Sequence, residues 1–326
     1  MKRLSVIYAA AAFLLAACEN PLEYRPADRR DELVVNALME AGDGPHEVHV
    51  AVSTTTRVRP VSTAAVRCFV NGTQVASSSV LKDGALSFNA SFATGDEVRL
   101  ELEADGKFRA GSRMTVPAPA ALVKVDTARV MRKGADDDEP QEYWRFGIEM
   151  RDAGRGEDYY ALAIELVIET ELYHDGVLTG GNTYVTGCTL DTDSDIVLGD
   201  GHLGGGGDSL IEVGTPNLNG VFSDSRFNGG SVTLHPFVPT YKFEPFYPGG
   251  TVDEMRVRSW ARVRISSISQ RHYYYLKALN ILYGGSSDFA LEDVSIPDNI
   301  DGGIGFTGIA NSTEMLVPLL QYSVFY

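Results

Sequence analysis

Apolar and polar residues alternate in a series of short segments near the start of the chain. The segments are ELVVNAL, HEVHVAV, AAVRCFV, ALSFNASF and EVRLELEA. Alternation with a period of two places the apolar side chains of a strand on one face. Asn-Gly and Asp-Gly pairs beginning at Asn71 and Asp83 stand between these segments, and a third at Asp105 leads from EVRLELEA into KFRAGS. Such pairs adopt the positive dihedral angles of tight hairpins. We therefore predict an immunoglobulin-like β-sandwich over residues 32–118.

Longer alternating segments follow in residues 119–326, which we predict to form a second β-rich domain. YWRFGIEM places Trp144, Phe146, Ile148 and Met150 on one strand face, so we interpret Trp144 as a core residue. YYALAIELVIETELYH and EMRVRSWARVRISSI predict two long strands. The fold class is thus expected to be mainly β.

One segment, SQRHYYYLKALNILYGG, has the apolar spacing of an α-helix. Ser269 can accept a hydrogen bond from the first helical turn, and Gly284 can end the helix. We predict one amphipathic helix over about 269–283. Its apolar face is expected to hold His272, Tyr275, Leu276, Leu279, Leu282 and Tyr283.

The N-terminal stretch has the features of a secretory signal. Two basic residues precede an apolar run from Leu4 to Ala17, which is too short to span a bilayer. The letters LAAC that end at Cys18 match the lipobox of bacterial lipoproteins, in which the cysteine is acylated after cleavage. We predict a lipoprotein signal peptide over 1–17, a polar tether over 18–31, and attachment to the outer membrane through lipid on Cys18. A plain signal peptide followed by an ordinary cysteine is the less favoured alternative.

The chain is strongly acidic, with a formal net charge of −16 over 326 residues. Such a charge repels nucleic acids and anionic lipid surfaces, so nucleic-acid partners are not expected. Attachment to the membrane must then come from lipid.

Two cysteines, Cys68 and Cys188, remain once Cys18 is assigned to lipid. An exported protein permits them to pair, and two separate free thiols are an equally acceptable interpretation. Cys68 lies in an alternating segment and is expected to be a buried strand residue.

Four arginines and a tryptophan are predicted to share one face of the strand that follows Asp253. One interpretation is that this face binds an anionic or sugar-like ligand. The alternative, which we favour, is that it lies beside the acidic face of AIELVIETE and forms cross-strand ion pairs. The residues of the arginine face are Arg256, Arg258, Trp260, Arg262 and Arg264, and those of the acidic face are Glu165, Glu169 and Glu171.

A second candidate binding element is the segment PFVPTYKFEPFYPGG, over residues 236–250. Prolines stiffen a loop, and aromatic side chains offer large contact area at low entropic cost. The loop could contact a partner, or fold its rings onto the core of the second domain. Its aromatic residues are Phe237, Tyr241, Phe243, Phe246 and Tyr247.

An acidic loop, DTDSDIVLGDGH, begins like a calcium-binding EF-hand with Asp191, Asp193 and Asp195 at alternate positions. The glycine and glutamate that the EF-hand requires are replaced by Ile196 and His202. We therefore expect a solvated acidic loop, with a non-standard calcium site as the alternative.

Other short motifs do not predict chemistry. GIGFTG contains G-x-G-x-x-G, but a strand-like segment follows it where a dinucleotide site needs a helix. His46 and His49 are three residues apart, which places them on opposite faces of a strand. We predict no catalytic centre, no metal site and no cofactor, and therefore that the protein is not an enzyme.

The order of motifs in the C-terminal half resembles that of the domain of unknown function 4249 family. VFSDSRFNGG, VRISSISQRHYYYLKAL and FALEDVSIPDNIDGGIGF carry the resemblance, together with LVVNALME near the start. The chain departs from the family where Asp293 follows Glu292, because the family more often has proline after the acidic residue. The matching positions are Phe222, Asp224, Gly229, Ser269, Tyr273 to Leu276, Asn299, Gly303, Gly305 and Phe306.

The resemblance implies an exported, lipid-anchored β protein of Bacteroidota, often encoded beside a TonB-dependent outer-membrane receptor, with no assigned activity. We therefore expect a non-catalytic component that binds a small ligand, glycan or peptide, or assists such a receptor. A structural or adhesion module at the cell surface is the alternative, and an unrecognised hydrolase is the least favoured.

Overall fold

The computed structural model describes residues 31–133, 139–154, 156–201, 216–240, 252–284 and 295–325. These residues are mainly β, as predicted, and they contain one α-helix.

The strands range from two residues to 22 residues in length, and the longest is the last. In chain order they are β1 Glu32–Glu40, β2 Gly42–Ser53, β3 Val58–Pro60, β4 Ala64–Val70, β5 Thr73–Ser78, β6 Leu81–Lys82, β7 Ala85–Phe92, β8 Glu97–Ala104, β9 Phe108–Thr115, β10 Ala121–Arg132, β11 Gln141–Arg151, β12 Tyr159–His174, β13 Val177–Gly187, β14 Val221–Ser223, β15 Ser231–Leu234, β16 Phe237–Pro239, β17 Glu254–Ile268 and β18 Ile304–Phe325. The helix is α1 Gln270–Tyr283, and a short 3-10 helix covers Leu198–Gly201.

The strands form one long sheet and two smaller ones. The long sheet has the order β13-β12-β17-β18-β1-β2-β7-β6, with β14 beside β12 and β3 beside β2. One small sheet has the order β5-β4-β8-β9. The other has the order β10-β11-β15, with β16 also beside β11.

The first small sheet packs on the β1, β2 and β7 part of the long sheet, and we call this unit the N-terminal sandwich. Its core contains Leu33, Leu86 and Leu100, whose side chains are fully buried. Cys68 belongs to the same core, as predicted. The hairpin turns are also confirmed, since Asn71, Asp83 and Asp105 all have positive φ. The pattern is consistent with an immunoglobulin-like arrangement, which stays a prediction.

The strand β18 joins the two halves of the molecule. Its first residues run parallel to β1, from the pair Val34 and Ile304 to the pair Glu40 and Ala310. From Asn311 onward it runs antiparallel to β17. The long sheet is thus continuous across the domain boundary placed after residue 118, and that boundary stays a prediction.

The second small sheet packs on β12, β17 and β18, and we call this unit the C-terminal sandwich. Its core contains Trp144, Phe146, Ile148 and Met150, as the alternation predicts. Both small sheets cover the same face of the long sheet. Ile309 of the N-terminal core and Met315, Val317 and Leu319 of the C-terminal core are separated by even numbers of residues along β18.

Helix α1 packs on the opposite face of the long sheet, and its bounds agree with the prediction. The Ser269 side chain accepts a hydrogen bond from the His272 amide at 3.2 Å. The predicted apolar face is wrong at its C-terminal end, because Leu282 and Tyr283 are exposed. Asn280 is buried there instead, because it hydrogen-bonds with the loop before β14. The buried helical residues are His272, Tyr273, Ala278 and Asn280.

Candidate functional site

A cleft of about 250 Å³ opens between the two layers of the C-terminal sandwich. We call it the inter-sheet cleft. Its floor is apolar because strand alternation directs Leu166, Ile168 and Val257 of the long sheet towards the second small sheet. The same side of the cleft is also lined by Ser259, Leu319, Leu320 and Tyr322.

The opposite wall of the inter-sheet cleft supplies its charged groups. The Arg129 guanidinium lies 5.0 Å from the centre of the Trp144 ring and 3.7 Å from the Glu142 carboxylate. The Thr240 hydroxyl donates a hydrogen bond to the backbone oxygen of Glu142 at 2.7 Å and fixes the rim. Apolar clefts with a few placed polar groups are typical ligand sites. This cleft can hold a small ligand with an apolar body and one polar group.

The arginine face lies on the other side of the long sheet, and its arginines are ion-paired. Arg258 contacts Glu169 at 3.3 Å, and Arg262 contacts Glu165 at 2.9 Å. Arg258 also pairs with Glu171. These are the cross-strand pairs of the favoured interpretation, and ligand binding by this face stays a prediction. Trp260, half-buried, stands between Val167 and Pro318 on the neighbouring strands.

The two ends of the arginine face also have acidic partners. Arg264 contacts Glu314 at 3.3 Å, and Arg256 contacts Glu254 at 2.7 Å. Hydrogen bonding with Glu254 raises the pKa of Arg256, and the same contact lowers the pKa of Glu254. The Arg256 guanidinium also lies 4.1 Å from the centre of the Tyr173 ring.

Only the start of the aromatic loop falls within the described residues. Phe237 lies in β16, and the Arg132 guanidinium covers its ring at 4.2 Å. The other aromatic residues of this prediction lie outside the described residues, as does Cys18 with the signal peptide. They are Tyr241, Phe243, Phe246 and Tyr247.

The expectation of a solvated acidic loop is wrong for two of its aspartates. Asp195 is buried, and its carboxylate accepts hydrogen bonds from the amides of Val197 at 2.8 Å and Leu198 at 3.0 Å. Asp191 contacts the Arg132 guanidinium at 2.7 Å. The Asp195 carboxylate thus caps the 3-10 helix, and the Asp191 carboxylate binds an arginine of β10. Both contacts form because the loop folds back on the C-terminal core.

Three carboxylates that sequence analysis did not bring together form what we call the aspartate cluster: Asp152, Asp158 and Asp224. One oxygen of each lies within 4.8 Å of those of the other two. Asp152 and Asp158 flank the turn between β11 and β12, and Asp224 follows β14. The Asp224 amide donates to the Asp158 backbone oxygen at 3.0 Å. Sequence analysis marked only Asp224, through the family motif, because the other two lie far from it along the chain.

Burial and mutual repulsion act on the aspartate cluster. Asp224 is fully buried, and neither of its carboxylate oxygens has a hydrogen-bond partner. Burial raises the pKa of Asp224, the nearby backbone N–H of Asp158 offsets part of this rise, and the charges of Asp152 and Asp158 add to it. Burial also raises the pKa of Asp158, with Asp152 adding to the effect. A set of oxygen donors in this arrangement can hold a hard divalent cation.

The remaining sequence motifs have structural positions. Cys68 and Cys188 are free thiols that lie in different cores, and burial raises the pKa of each to about 11. His46 is buried and His49 exposed, which confirms that they occupy opposite faces. The glycine motif lies at and within the start of β18, beside β1. The side chain of Asn299, which precedes the motif, forms hydrogen bonds with the backbone oxygen and amide of Thr307 at 2.7 and 2.8 Å.

A second group of possible metal ligands lies at the tip of the β12–β13 hairpin. It consists of His174, Asp175 and Asp253. The Asp175 side chain is 87% exposed. Exposed acidic groups of this kind are well solvated and need no ion.

The fold is that of a mainly β protein with a cleft between two of its sheets. The chain belongs to the family described as Domain of unknown function (DUF4249), whose model matches residues 19–315. No curated protein matches the chain.

Two solved structures are similar to parts of the chain. A DUF4785 family protein from Legionella pneumophila is 11% identical, with 72% of this chain and 52% of that chain covered and a TM-score of 0.22. A Corynebacterium diphtheriae protein described as a "putative membrane anchored protein" is 12% identical, with coverage of 86% and 59% and a TM-score of 0.22. The chain therefore spans between about half and three fifths of the length of these two proteins.

No helix among the described residues combines the length and the apolar character needed to cross a bilayer.

Proposed function

We propose that this protein is a lipid-anchored, non-catalytic binding protein of the outer membrane that holds a small ligand in the inter-sheet cleft. The observation that carries the proposal is the cleft itself, in which an apolar floor faces the Arg129 and Glu142 pair. A ligand with an apolar body would contact Leu166, Ile168 and Val257. Its polar group would reach the charged rim.

The location of the protein in the cell is part of the same proposal. The lipobox at Cys18 and the net charge of −16 support anchoring by lipid rather than by surface charge. The family resemblance supports a role beside a TonB-dependent receptor. We propose that the protein delivers its ligand to such a receptor or retains the ligand near it.

Filling the inter-sheet cleft tests the binding proposal. Leu166→Trp adds a large ring to the floor, whereas Val185→Trp adds the same ring on the exposed edge strand β13. Wild-type protein purified from its own membrane in mild detergent should carry a bound small molecule in native mass spectrometry. We expect Leu166→Trp to lack that mass and Val185→Trp to keep it. Equal occupancy in the two variants would show that the ligand lies elsewhere.

Gentle solubilisation followed by affinity capture of the full chain tests the receptor proposal. We expect a β-barrel receptor of the outer membrane among the recovered proteins. Failure to recover such a receptor after chemical crosslinking in intact cells would contradict the receptor proposal. It would leave the ligand-binding proposal unaffected. Turnover of peptide or glycan pools by the purified protein would contradict the non-catalytic assignment.

An adhesion role is the second candidate, and one observation favours it. Among the described strands β13 lies at the edge of the long sheet and exposes several large apolar side chains, and such an edge is the usual template for a strand from another chain. These side chains are Val177, Leu178, Tyr184 and Val185. A deletion strain that loses cell contacts without a nutrient-specific growth defect would favour this role over uptake.

A further inference from the structure

We infer that the aspartate cluster, Asp152, Asp158 and Asp224, is a Ca²⁺ site that ties two loops of the C-terminal sandwich together. The site lies at the end of β11 opposite Glu142 and the inter-sheet cleft. It is therefore a separate site, whose role does not depend on the ligand of the cleft.

Negative charge that no described residue balances is the first reason to place a cation here. None of the three carboxylates takes part in an ion pair with the basic residues that the structure describes. Asp224 is 0% exposed, and both of its carboxylate oxygens lack a hydrogen-bond partner. A buried carboxylate is costly unless it is paired with a cation or coordinates a metal. Asp224 is thus buried, unpartnered and within ligand distance of two other carboxylates.

The spacing of the oxygens fits one ion. Ca²⁺ binds its oxygen ligands at about 2.3–2.6 Å, so two ligands on opposite sides of the ion are about 5 Å apart. One oxygen from each aspartate lies within 4.8 Å of the other two. All three can therefore reach a common centre without movement of the backbone.

The neighbouring groups hold the carboxylates in place. The Gly229 amide donates to one Asp152 oxygen at 2.6 Å, and the Tyr160 hydroxyl donates to the other. The Asp224 backbone is held by the Asp158 backbone at 3.0 Å. Hydrogen-bonded ligands of this kind keep their orientation when a metal binds.

The chemistry of the donors selects the ion. The three side chains offer only carboxylate oxygens, and hard oxygen donors favour Ca²⁺ and Mg²⁺ over the softer transition metals. Mg²⁺ needs a compact octahedron at about 2.0–2.1 Å, whereas Ca²⁺ accepts ligands from flexible loops in a wider sphere. Two loops supply the three aspartates, so we assign the site to Ca²⁺.

The bound ion would crosslink the turn after β11 and the turn after β14. Beneath these turns Tyr160 packs against Phe222 at 5.4 Å and Phe227 at 6.4 Å between ring centres. The ion would therefore close one end of the C-terminal core. We expect Ca²⁺ to stabilise the folded protein rather than to take part in a reaction.

Calorimetric titration of the detergent-purified full chain with CaCl₂, after removal of metals with EGTA, tests the site. We expect one binding event per chain, and at a hundredfold excess over the Kd a Tm higher by about 5 °C. No heat and no Tm shift at millimolar Ca²⁺ would overturn the inference. Tighter binding of MgCl₂ than of CaCl₂ would overturn the assignment to Ca²⁺.

Matched variants locate the binding. We expect Asp224→Asn to weaken Ca²⁺ affinity about tenfold or more, because it removes a charged ligand but keeps the side-chain size. Asp158→Asn, at a half-buried position, serves as a second variant if Asp224→Asn fails to fold by circular dichroism. Asp175→Asn and Asp193→Asn alter the other acidic groups and should keep wild-type affinity. Wild-type affinity in folded Asp224→Asn, or loss of affinity in either control, would refute the site.

Discussion

The N-terminal and C-terminal sandwiches share one long sheet, yet they fill the space between their layers differently. Leu33, Leu86 and Leu100 are fully buried in the N-terminal core, which reaches from β1 to β9. The C-terminal layers meet closely around Phe146 and Tyr160 and separate towards Glu142, where the inter-sheet cleft opens.

The two sandwiches also differ in how their loops are held. The N-terminal sandwich joins distant loops through polar groups at the surface, because the Asp105 carboxylate accepts hydrogen bonds from the Ser62 and Thr63 amides. The aspartate cluster of the C-terminal sandwich also joins distant loops, but it includes the fully buried Asp224. A buried carboxylate loses its hydration, whereas an exposed one keeps it. The comparison teaches that in this fold the candidate chemistry lies where distant loops meet in a buried place.

We call the parallel pairing of β1 with β18 the seam, because it joins the two sandwiches. The largest loss of stability should come from disrupting it. Gly305 has φ of +119°, and a Cβ there would lie 2.2 Å from the Val35 backbone oxygen. We expect Gly305→Ala to lower the free energy of unfolding by about 4 kcal/mol or more, because the backbone of β1 must move. Urea denaturation measures the change.

The matched control for Gly305→Ala is Gly72→Ala, in a hairpin of the N-terminal sandwich. Gly72 also has positive φ, but its Cβ would have no atom within 4 Å. We expect a cost of about 1 kcal/mol, which reports backbone strain alone. Equal costs for the two variants would mean that the close approach at the seam is unimportant.

Core truncation should give the next largest effect and should separate the two sandwiches directly. Leu100→Ala leaves a closed cavity in the N-terminal core, so we expect a loss of about 3 kcal/mol. Leu166→Ala only widens the inter-sheet cleft, and we expect about half of that loss. Thermal or urea unfolding monitored by circular dichroism measures both. A larger loss for Leu166→Ala would show that the cleft region is packed as tightly as the N-terminal core.

Acid should lower the stability of the protein through His272, which lies on the helix that packs against the long sheet. Burial lowers the pKa of His272 to about 4, whereas its unfolded value is about 6.5. Between these values the unfolded chain binds a proton that the folded chain does not. The free energy of unfolding should therefore fall as the pH drops from 6.5 towards 4, by about 2–3 kcal/mol from this group, and the full contribution is present above pH 6.5.

His272→Gln isolates this titration, because glutamine stays neutral. Asp158 and Asp224, with raised pKa values, contribute a pH trend of the opposite sign in both proteins. The difference between the urea midpoints of the two proteins across pH 4–7 therefore reports His272. A difference that does not change with pH would contradict the burial of the neutral ring.

The smallest effect is expected at the arginine face. Arg262→Met removes a half-exposed ion pair with Glu165, so we expect a loss of less than about 1 kcal/mol that shrinks further in salt. Ligand retention in native mass spectrometry should stay unchanged, because the inter-sheet cleft lies on the other face of the sheet. Loss of the ligand in this variant would shift the binding site to the arginine face.

Sequence patterns predicted the local features of both sandwiches. The positive φ of Asn71, Asp83 and Asp105 follows from dipeptide chemistry, which depends on neighbouring residues alone. The alternation around Trp144 and the Ser269 cap are equally local. The favoured interpretation of the arginine face, in which it forms cross-strand ion pairs with the acidic face, agrees with the pairs that Arg258 and Arg262 make.

The other features of the fold and site depend on contacts between residues that are far apart in the sequence. Nothing local indicated that β1 would run parallel to β18, or that Asp152 and Asp224 would meet. The helix face was wrong near Leu282 because spacing alone does not reveal which turns reach the sheet. Asn280 is buried there by hydrogen bonds with the distant Asn217 and Asn219. Tertiary partners override helical periodicity in such places.

The position of β18 also has a consequence for the order in which the protein can fold. The edge of β1 receives its neighbour from residues 304–310, roughly 270 positions further along the chain. During synthesis one sheet edge of the N-terminal sandwich therefore stays open until β18 has been made. An open edge of this kind attracts other unpaired strands, so we expect the nascent chain to depend on a chaperone.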